Sequence, residues 1–379
     1  MRNQALKILS DLVSFPSFVG MENPKSEFLV SQYLEKLFLA NFLNFKLKKI
    51  KFEGKYRANL LFQNSKHIRI LFACHMDTVP PSSNKMFKIK RDGDRVLGLG
   101  TKDMKGGIVS TILALKQIKD IPGIGVLFYG DEETSFKGIL NITKKSKVLF
   151  SDKISLIVSP ESRFNLGIGA RGLTVLKLSI QGKKAHSARP HMGIDAVKLF
   201  YVLANNVEEF INDRKSDLGK SSLNIAHIHG GILSADGKDI TYLAGTVPDH
   251  LIADISIRNA QVKLTGQQIL KLFISEGRNL KLKVQGKIVE DYPARYTPKI
   301  VVNKVFKAIK ASGFDVEISD PGLGGFNDMT ILGKKIDSPV VNFGPYGEGN
   351  HSKDEWVSLK SILDTSKVFE KLVIEFCNK

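Results

Sequence analysis

The sequence predicts an α/β protein with a mostly parallel sheet flanked by helices, into which a smaller two-layer α+β domain is inserted. Short apolar runs at 68–73, 125–129 and 154–158 alternate with segments of helical period, which is typical of a parallel sheet covered on both faces. After about residue 169, strand candidates alternate polar and apolar residues, which indicates an antiparallel sheet with one wet face. The chain of 379 residues is long enough for two domains.

The charge and cysteine content narrow the class of protein. The net charge is +18, but the lysines are spread along the chain, and the densest cluster at 46–57 alternates lysine with apolar residues as an exposed strand does. We therefore expect a solvated basic surface and no nucleic-acid partner. Two distant cysteines, Cys74 and Cys377, do not make a disulfide framework and indicate a reducing compartment. Because no run of about 18 apolar residues exists, we expect no membrane span and a cytoplasmic protein.

The first part of the chain alternates between helical and strand periodicity. Apolar residues at helical spacing predict an amphipathic helix in 1–15, and the lack of a continuous apolar core argues against a signal peptide. The elements predicted after it are helix 25–37, strands 45–52, 59–62 and 68–73, helix 107–118, and strands 125–129 and 154–158. We assign residues 1–169 to the first part of the larger domain.

Period-two alternation at 173–181 marks the beginning of the smaller domain. The elements predicted after it are helix 194–213, strands 223–229 and 251–257, and helix 266–273, with Thr265 as its N-cap. The pattern of the larger domain then returns with helix 299–311, strand 339–343 and helix 359–377. We therefore predict that residues 170–286 form the inserted domain and that 287–379 complete the larger one.

Polar residues follow the apolar strands at their carboxyl ends, where open α/β sheets bind ligands. His75 and Asp77 come after strand 68–73 and, two residues apart in an extended segment, point the same way. A metal-bound imidazole needs a partner for its other ring nitrogen, and a nearby carboxylate supplies one. A loop histidine beside a surface aspartate would show the same pattern, so both interpretations stay open.

Asp103 lies in a glycine-rich segment, GLGTKDMKGG at 98–107, that leads into a predicted helix. Glycines on both sides let the backbone crowd a site. A functional aspartate here would be a bridging carboxylate that places its two oxygens on two metal ions. An N-cap of the following helix is the structural alternative.

Three adjacent acids, Asp131, Glu132 and Glu133, follow strand 125–129. Such a cluster is tolerated when a positive group lies among its members, and a metal ion is one candidate. Adjacent carboxylates would then divide the work, one binding metal and the other holding the attacking water and transferring its proton. An acidic loop without any such role would look the same.

Glu161 and His351 complete the candidate set. Glu161 is the only carboxylate within 153–194, so a ligand from the end of strand 154–158 must be this residue. His351 lies in a glycine-rich loop after another strand, where an imidazole has little reason to pack. Nitrogen and oxygen ligands without cysteine suit Zn²⁺ or a similar divalent ion. One shared acid and two ligands per ion would hold two ions about 3.5–4 Å apart.

With these motifs the chain resembles the M20 metallopeptidase family, whose members include succinyl-diaminopimelate desuccinylase, acetylornithine deacetylase, aminoacylases, peptidase T and glutamate carboxypeptidase. The resemblance rests on HMDTVP at 75–80, GTKDMKGG at 100–107 and GDEE at 130–133, which match in order and spacing. It covers essentially the whole chain. It implies a fold of the di-zinc exopeptidase type, with the inserted domain acting as a lid and dimerisation domain.

The resemblance implies two divalent metal ions, Zn²⁺ or alternatively Co²⁺. His75 and Glu161 would bind one ion. Glu133 and His351 would bind the other. Asp103 would bridge the two ions.

It also implies catalytic and substrate-binding residues. Glu132 would be the general base and acid, and Asp77 would orient His75. His186, in a motif like that of the dimer face, would reach the partner subunit's site and contact the oxyanion. Arg258 would hold a substrate carboxylate, and Asn327 belongs to the loop that contacts substrate. Surface positions are the alternatives for the histidine at 186 and the arginine.

The chain departs from the family pattern at three places, one in the loop of a metal ligand and two in segments that contact substrate. The third carboxylate reads Pro160-Glu161 where relatives often have Glu-Pro. Gly245 stands where many relatives have an asparagine. The substrate loop usually reads Gly-Thr-Ser-Asp, but here it is the segment 325–328, Gly-Phe-Asn-Asp, which places the bulky Phe326 beside the pocket. A direct transfer of desuccinylase or acetylornithine specificity is therefore unsafe.

The leading hypothesis from the sequence is hydrolysis of the amide bond of a small N-acyl amino acid, by a deacetylase or desuccinylase acting on diaminopimelate-, lysine- or arginine-type substrates. A di- or tripeptidase or a carboxypeptidase of the same family is the alternative, since these enzymes differ in pocket shape rather than in motifs. A non-catalytic member would have lost a ligand or Glu132. We expect a homodimer formed through the lid domain.

Overall fold

The structure is a computed structural model that describes residues 1–20, 25, 27–213, 215–322 and 326–378. None of its helices has the length and apolar character that crossing a membrane requires. The helices of the described part are α1 Arg2–Ser14, α2 Phe28–Asn41, α3 Gly106–Gln117, α4 Lys137–Lys144, α5 Ser146–Leu149, α6 Ala196–Asn212, α7 Gly266–Asn279, α8 Lys299–Ala311, α9 Met329–Lys335 and α10 Leu359–Cys377.

The strands of the same residues are β1 Lys46–Glu53, β2 Arg57–Gln63, β3 Ile70–His75, β4 Lys90–Asp92, β5 Arg95–Leu97, β6 Ile124–Tyr129, β7 Leu156–Ser159, β8 Gly169–Ala170, β9 Gly172–Gln181, β10 Ser222–Leu233, β11 Ile240–Thr241, β12 His250–Asn259, β13 Lys283–Tyr292, β14 Arg295–Tyr296, β15 Val340–Asn342, β16 Gly347–Glu348 and β17 Trp356–Ser358. The chain divides into two compact units. The first comprises Met1–Ile168, Thr297–Ser319 and Asp328–Lys379, and the second Gly169–Tyr296 and Asp320–Asn327.

The sheet of the first unit has the order β1-β2-β6-β3-β7-β15. Strands β6, β3, β7 and β15 pair in parallel, and β1 and β2 form an antiparallel edge. Every residue of β3 and β6 is buried, as expected for central strands that are covered on both faces. The predicted α/β fold with a mostly parallel sheet is confirmed. The carboxyl ends of β6, β3 and β7 meet at one edge, where the candidate ligands begin.

Aromatic side chains pack helices α2 and α10 against this sheet. The rings of Phe38 in α2 and Phe62 in β2 have centroids 4.4 Å apart, and those of Phe72 in β3 and Phe369 in α10 are 5.0 Å apart. All four side chains are fully buried. Burying each contributes about 1.5–3 kcal/mol, so these contacts hold α2 against β2 and α10 against β3, the strand that ends at His75.

The second unit is the predicted two-layer α+β domain. Its antiparallel sheet has the order β11-β10-β12-β9-β13, and the inward side chains of β9 pack in one core with those of α6 and α7. Thr265 caps α7 as predicted, in a reciprocal capping box with Gln268. Strand β13 runs across the predicted boundary between 286 and 287, because its pairing with β9 continues to Tyr292.

Candidate metal centre

Seven of the predicted site residues lie in the first unit, at the end of a strand or on the loops that follow or connect its strands. His75 ends β3, the acids at 132 and 133 follow β6, and Glu161 follows β7. These strands are parallel neighbours, so their carboxyl ends bring the side chains to one edge of the sheet. Asp103 precedes α3, and His351 precedes β17.

Asp103 is shared by two groups of potential ligands. Its Oδ1 lies 3.1 Å from Nε2 of His75, whereas its Oδ2 lies 3.6 Å from Nε2 of His351. The same nitrogen of His351 lies 3.0 Å from Oε2 of Glu133. One group joins Asp103 with His75 and Glu161, and another joins it with Glu133 and His351; in each, the donor atoms lie within 4.8 Å of one another.

The charges around this pair of groups fit divalent cations. Burial raises the pKa of Glu133 to about 7, and it also raises the pKa of Glu161 above its usual value. The carboxylate of Asp103, and after it the charge of Glu133, raises the pKa of His351 to about 9. Burial thus opposes the ionisation of Glu133 and Glu161, whereas the two neighbouring imidazoles favour their charged form and lower the pKa of Asp103. Two divalent ions would satisfy carboxylates and imidazoles at once, and the nitrogen and oxygen donors suit Zn²⁺.

Glu132 lies with His75 and Glu133 in a third group of potential ligands. Burial raises its pKa well above the usual glutamate value, and the charges of nearby carboxylates such as Asp328 and Glu161 act in the same direction, against the opposing charge of His75. A half-buried carboxyl group with a raised pKa beside potential metal ligands is suited to holding a proton and giving it up.

Asp77 contacts both His75 and the turn that carries Glu133. Nδ1 of His75 donates a hydrogen bond to the backbone carbonyl of Asp77 at 3.1 Å, and the carboxylate Oδ1 lies 3.6 Å from the same nitrogen. The other carboxylate oxygen accepts a hydrogen bond from the backbone N–H of Glu133 at 3.0 Å. Asp77 is fully buried. The residue therefore contacts His75 through its backbone and its side chain, and it also holds the turn that carries Glu133.

The turn around Glu161 is packed against glycines. A Cβ atom added at Gly107 would lie 2.1 Å from the carbonyl oxygen of Pro160, and one added at Gly344 would lie 2.3 Å from the same oxygen. Both positions therefore require glycine. The Pro160-Glu161 order, which departs from the family pattern, is accommodated between these two backbones.

Asp131 has a different function from the two glutamates that follow it. Its carboxylate accepts hydrogen bonds from the hydroxyl of Ser135 at 2.6 Å, from the backbone N–H of Lys137 at 2.9 Å and from Arg57 at 2.9 Å. Its backbone is left-handed, with φ of 68°. The repulsion expected among three adjacent acids is therefore relieved at Asp131 by Arg57. Sequence analysis missed this arginine because nothing near position 57 marks it.

Replacing Arg57 by methionine is expected to lower the free energy of unfolding by about 3–5 kcal/mol, because it removes the cation that pairs with two buried carboxylates. The guanidinium is 12% exposed, and its partners Glu27 and Asp131 are 3% and 1% exposed. Urea unfolding measures the change. Lys153→Met, which removes a surface pair with Asp337, is the matched control and should change stability by less than about 1 kcal/mol. An equal effect of both substitutions would contradict the interpretation.

Asp328 is a further buried carboxylate that sequence analysis did not assign. Its Oδ1 accepts a hydrogen bond from the hydroxyl of Tyr129 at 3.1 Å, and burial raises its pKa to about 8. It is the last residue of the predicted substrate loop at 325–328, and that position was the available clue. Gly325, the first residue of that loop, lies outside the described residues.

The three remaining predicted site residues belong to the second unit. His186 is exposed, and its Nδ1 accepts a hydrogen bond from the backbone N–H of Ala188 at 3.1 Å. Arg258 is half-buried on β12; burial lowers its pKa, and the charge of Arg171 lowers it further. Asn327 is half-buried at the end of 320–327.

Arg258 lies in a row of directly paired residues across three strands, and the row ends at an aromatic residue, Tyr292. Arg258 pairs with Leu173 of β9, which pairs in turn with Tyr292 of β13. Directly paired residues of an antiparallel sheet lie on the same face, so these three side chains share the face opposite the helices. The ring of Phe326 stacks on that of Tyr292 at 5.1 Å. This unit therefore combines a cation with an apolar surface.

Comparisons with known proteins identify the family and the fold of the chain. The model of peptidase family M20/M25/M40 matches residues 71–375. Succinyl-diaminopimelate desuccinylase of Novosphingobium aromaticivorans is 25% identical over 321 residues, covering 80% of each chain. Aminopeptidase PepT of Bacillus cereus has a TM-score of 0.73 at 19% identity, covering 100% of this chain and 99% of its own. A dinuclear metal-binding peptidase of Bacillus subtilis has a TM-score of 0.68 at 14% identity, covering 98% and 97%.

Proposed function

The chain belongs to peptidase family M20/M25/M40 and is a metal-dependent hydrolase of C–N bonds, and we propose that it removes the acyl group from a small N-acyl amino acid. Acetylated or succinylated diamino acids of the diaminopimelate, lysine or arginine type are the proposed substrates. The observation that carries the two-metal hydrolysis is the position of Asp103, whose two oxygens face two different histidines. The curated relatives named succinyl-diaminopimelate desuccinylase support the choice of an N-acyl substrate.

Two divalent ions, Zn²⁺ in the first place and Co²⁺ as the alternative, are the proposed cofactors. His75 and Glu161 would hold one ion, Glu133 and His351 the other, and Asp103 both. Bound there, the ions would supply Lewis acidity toward the amide carbonyl and toward water. Asp77 orients the imidazole of His75 through the contacts already described.

Glu132 moves the proton in the proposed reaction. Its carboxylate takes one proton from the attacking water as the C–O bond forms. It gives the same proton to the amide nitrogen as the C–N bond breaks, so the carboxylate is regenerated and a free amine leaves. Burial, which raises the pKa of this group, brings it closer to the working pH of a proton carrier.

The second unit supplies the proposed substrate contacts. Arg258 would bind the carboxylate of the amino acid, and Asn327 would donate to or accept from the polar part of the substrate. His186 would act in the site of the partner subunit of a homodimer formed through this unit. The enzyme is proposed to work in the cytoplasm, in keeping with its two free, buried cysteines.

Arg258→Met is expected to raise KM by about 10- to 100-fold, because a hydrogen-bonded pair with a charged group contributes about 1.5–3 kcal/mol. Methionine keeps much of the apolar stem, so the sheet face should stay packed. Steady-state kinetics on the best substrate measures the effect. Arg278→Met, on the exposed face of α7, is the matched control. An unchanged KM would remove Arg258 from the substrate site.

A panel of substrates tests the proposed function. Metal-stripped protein is refilled with Zn²⁺ or Co²⁺ and assayed against N-acetyl and N-succinyl amino acids and against di- and tripeptides. Turnover of the N-acyl compounds alone supports the proposal. Turnover of peptides alone would favour the alternative, a di- or tripeptidase or carboxypeptidase. Failure to bind any divalent ion would overturn both.

A further inference from the structure

Glu355 is a buried carboxylate that receives three backbone hydrogen bonds from the loop carrying Asp103. Its Oε2 accepts from the N–H of Gly100 at 2.7 Å, and its Oε1 accepts from those of Lys102 at 2.9 Å and Asp103 at 3.0 Å. The residue is 2% exposed. Successive N–H groups that point at one carboxylate form an anion-binding concavity in the backbone.

The loop has a conformation that depends on glycine. Gly100 is left-handed, with φ of 72°, and an added Cβ would lie 2.6 Å from the Thr78 side chain. The backbone of residue 355 also takes part, since its carbonyl accepts a hydrogen bond from the N–H of Gly98 at 3.1 Å. Four N–H groups of the segment 98–103 therefore end on Glu355.

Glu355 lies in the short segment 350–355, which also contains His351. Nδ2 of Asn350 donates a hydrogen bond to Oδ2 of Asp103 at 2.8 Å, so the segment 350–355 contacts Asp103 at both its side chain and its backbone. Strand β17, which begins at Trp356, pairs with β5 directly before the glycine-rich loop. Two proposed ligands from distant parts of the chain are thus tied together by Glu355.

Holding the loop in place would not by itself require a buried carboxylate. A buried carboxylate is costly unless it is fully hydrogen-bonded, and it adds negative charge beside a centre that already contains several acids. Its bonds to N–H groups are charge-assisted and therefore short and directional. Such bonds define the orientation of a backbone more strictly than apolar packing does.

We propose that Glu355 is a positioning residue of the metal centre, which sets Asp103 against His351 so that both can bind one ion. The contact of Glu355 positions two ligands, Asp103 and His351, of the ion held by Glu133 and His351. It positions only one ligand, Asp103, of the ion held by His75 and Glu161. This inference rests on the proposed two-metal site but not on the identity of the substrate.

Metal binding by Glu355→Gln and Glu355→Ala tests the inference. Stripped protein is titrated with Zn²⁺, and the absorption spectrum of the Co²⁺ form is recorded. We expect one ion to bind about 10- to 100-fold more weakly in the alanine variant, with an altered Co²⁺ spectrum. Glutamine can keep the bonds to Lys102 and Asp103, so its effect should be smaller. Asp354→Asn, an exposed neighbour, should bind both ions as the wild type does.

Three results would overturn the inference. The first is unchanged affinity and an unchanged Co²⁺ spectrum in a folded alanine variant, even if its Tm falls. The second is equal weakening of both ions. If the alanine variant does not fold, a glutamine variant with wild-type affinity and spectrum is the third. Failure of the wild type itself to bind two ions would instead count against the proposed function.

Discussion

In the Glu132→Gln variant, kcat is expected to fall by about 10²- to 10⁴-fold while both metal ions stay bound. Glutamine keeps the size and hydrogen-bonding capacity of the side chain but cannot take a proton from water. The neighbouring Glu133 is expected to behave differently, because its Oε2 lies 3.0 Å from Nε2 of His351 in a group of potential ligands. Glu133→Gln should therefore weaken metal binding as well as turnover.

The test compares the metal content and the kinetics of the two glutamine variants. Metal content and steady-state kinetics are determined for both variants and for Glu348→Gln, an exposed glutamate at the end of β16, three residues before His351. The control should match the wild type in both respects. If Glu132→Gln lost a metal ion, the residue would be a ligand and not the proton carrier. If it kept full activity, the proton would move by another group.

The sequence predicted the elements that contain long or fully apolar segments. Strand β3, whose six residues are all buried, stands out as an apolar run, and α10 shows its period over nineteen residues. The small sheet of β4, β5, β16 and β17 escaped prediction because its strands have two or three residues each. A segment that short has no period to read. Yet this sheet places His351 and Glu355.

The candidate ligands could be found from sequence because each follows a strand end, but their partners could not. Arg57 meets Asp131 across 74 residues of chain, and Glu355 meets the loop at 100–103 across about 250. Such pairs are set by sheet order, which local patterns do not encode. Similarly, the sequence indicated that His75 and Asp77 belong together, but only the structure shows that the backbone carbonyl of Asp77 is the closer partner.

Removal of the metal ions is expected to abolish turnover and to lower Tm, and Zn²⁺ or Co²⁺ should restore both. Ions that bind only the native protein stabilise it by about 2.7 kcal/mol at a hundredfold excess over Kd. The effect should be large here because Glu132, Glu133 and Glu161 have pKa values raised by burial, and bound cations relieve this cost.

Chelation followed by refilling measures this effect through activity and thermal unfolding of the same sample. His351→Ala provides the matched comparison, since it removes one ligand of one proposed ion and should reduce the rise in Tm without abolishing it. His191→Ala, an exposed histidine of the second unit, should respond as the wild type does. Turnover that survived in protein shown to contain no metal would contradict the two-metal mechanism. A rise in Tm without recovered turnover would instead indicate that the ions bind but that the assay lacks the substrate.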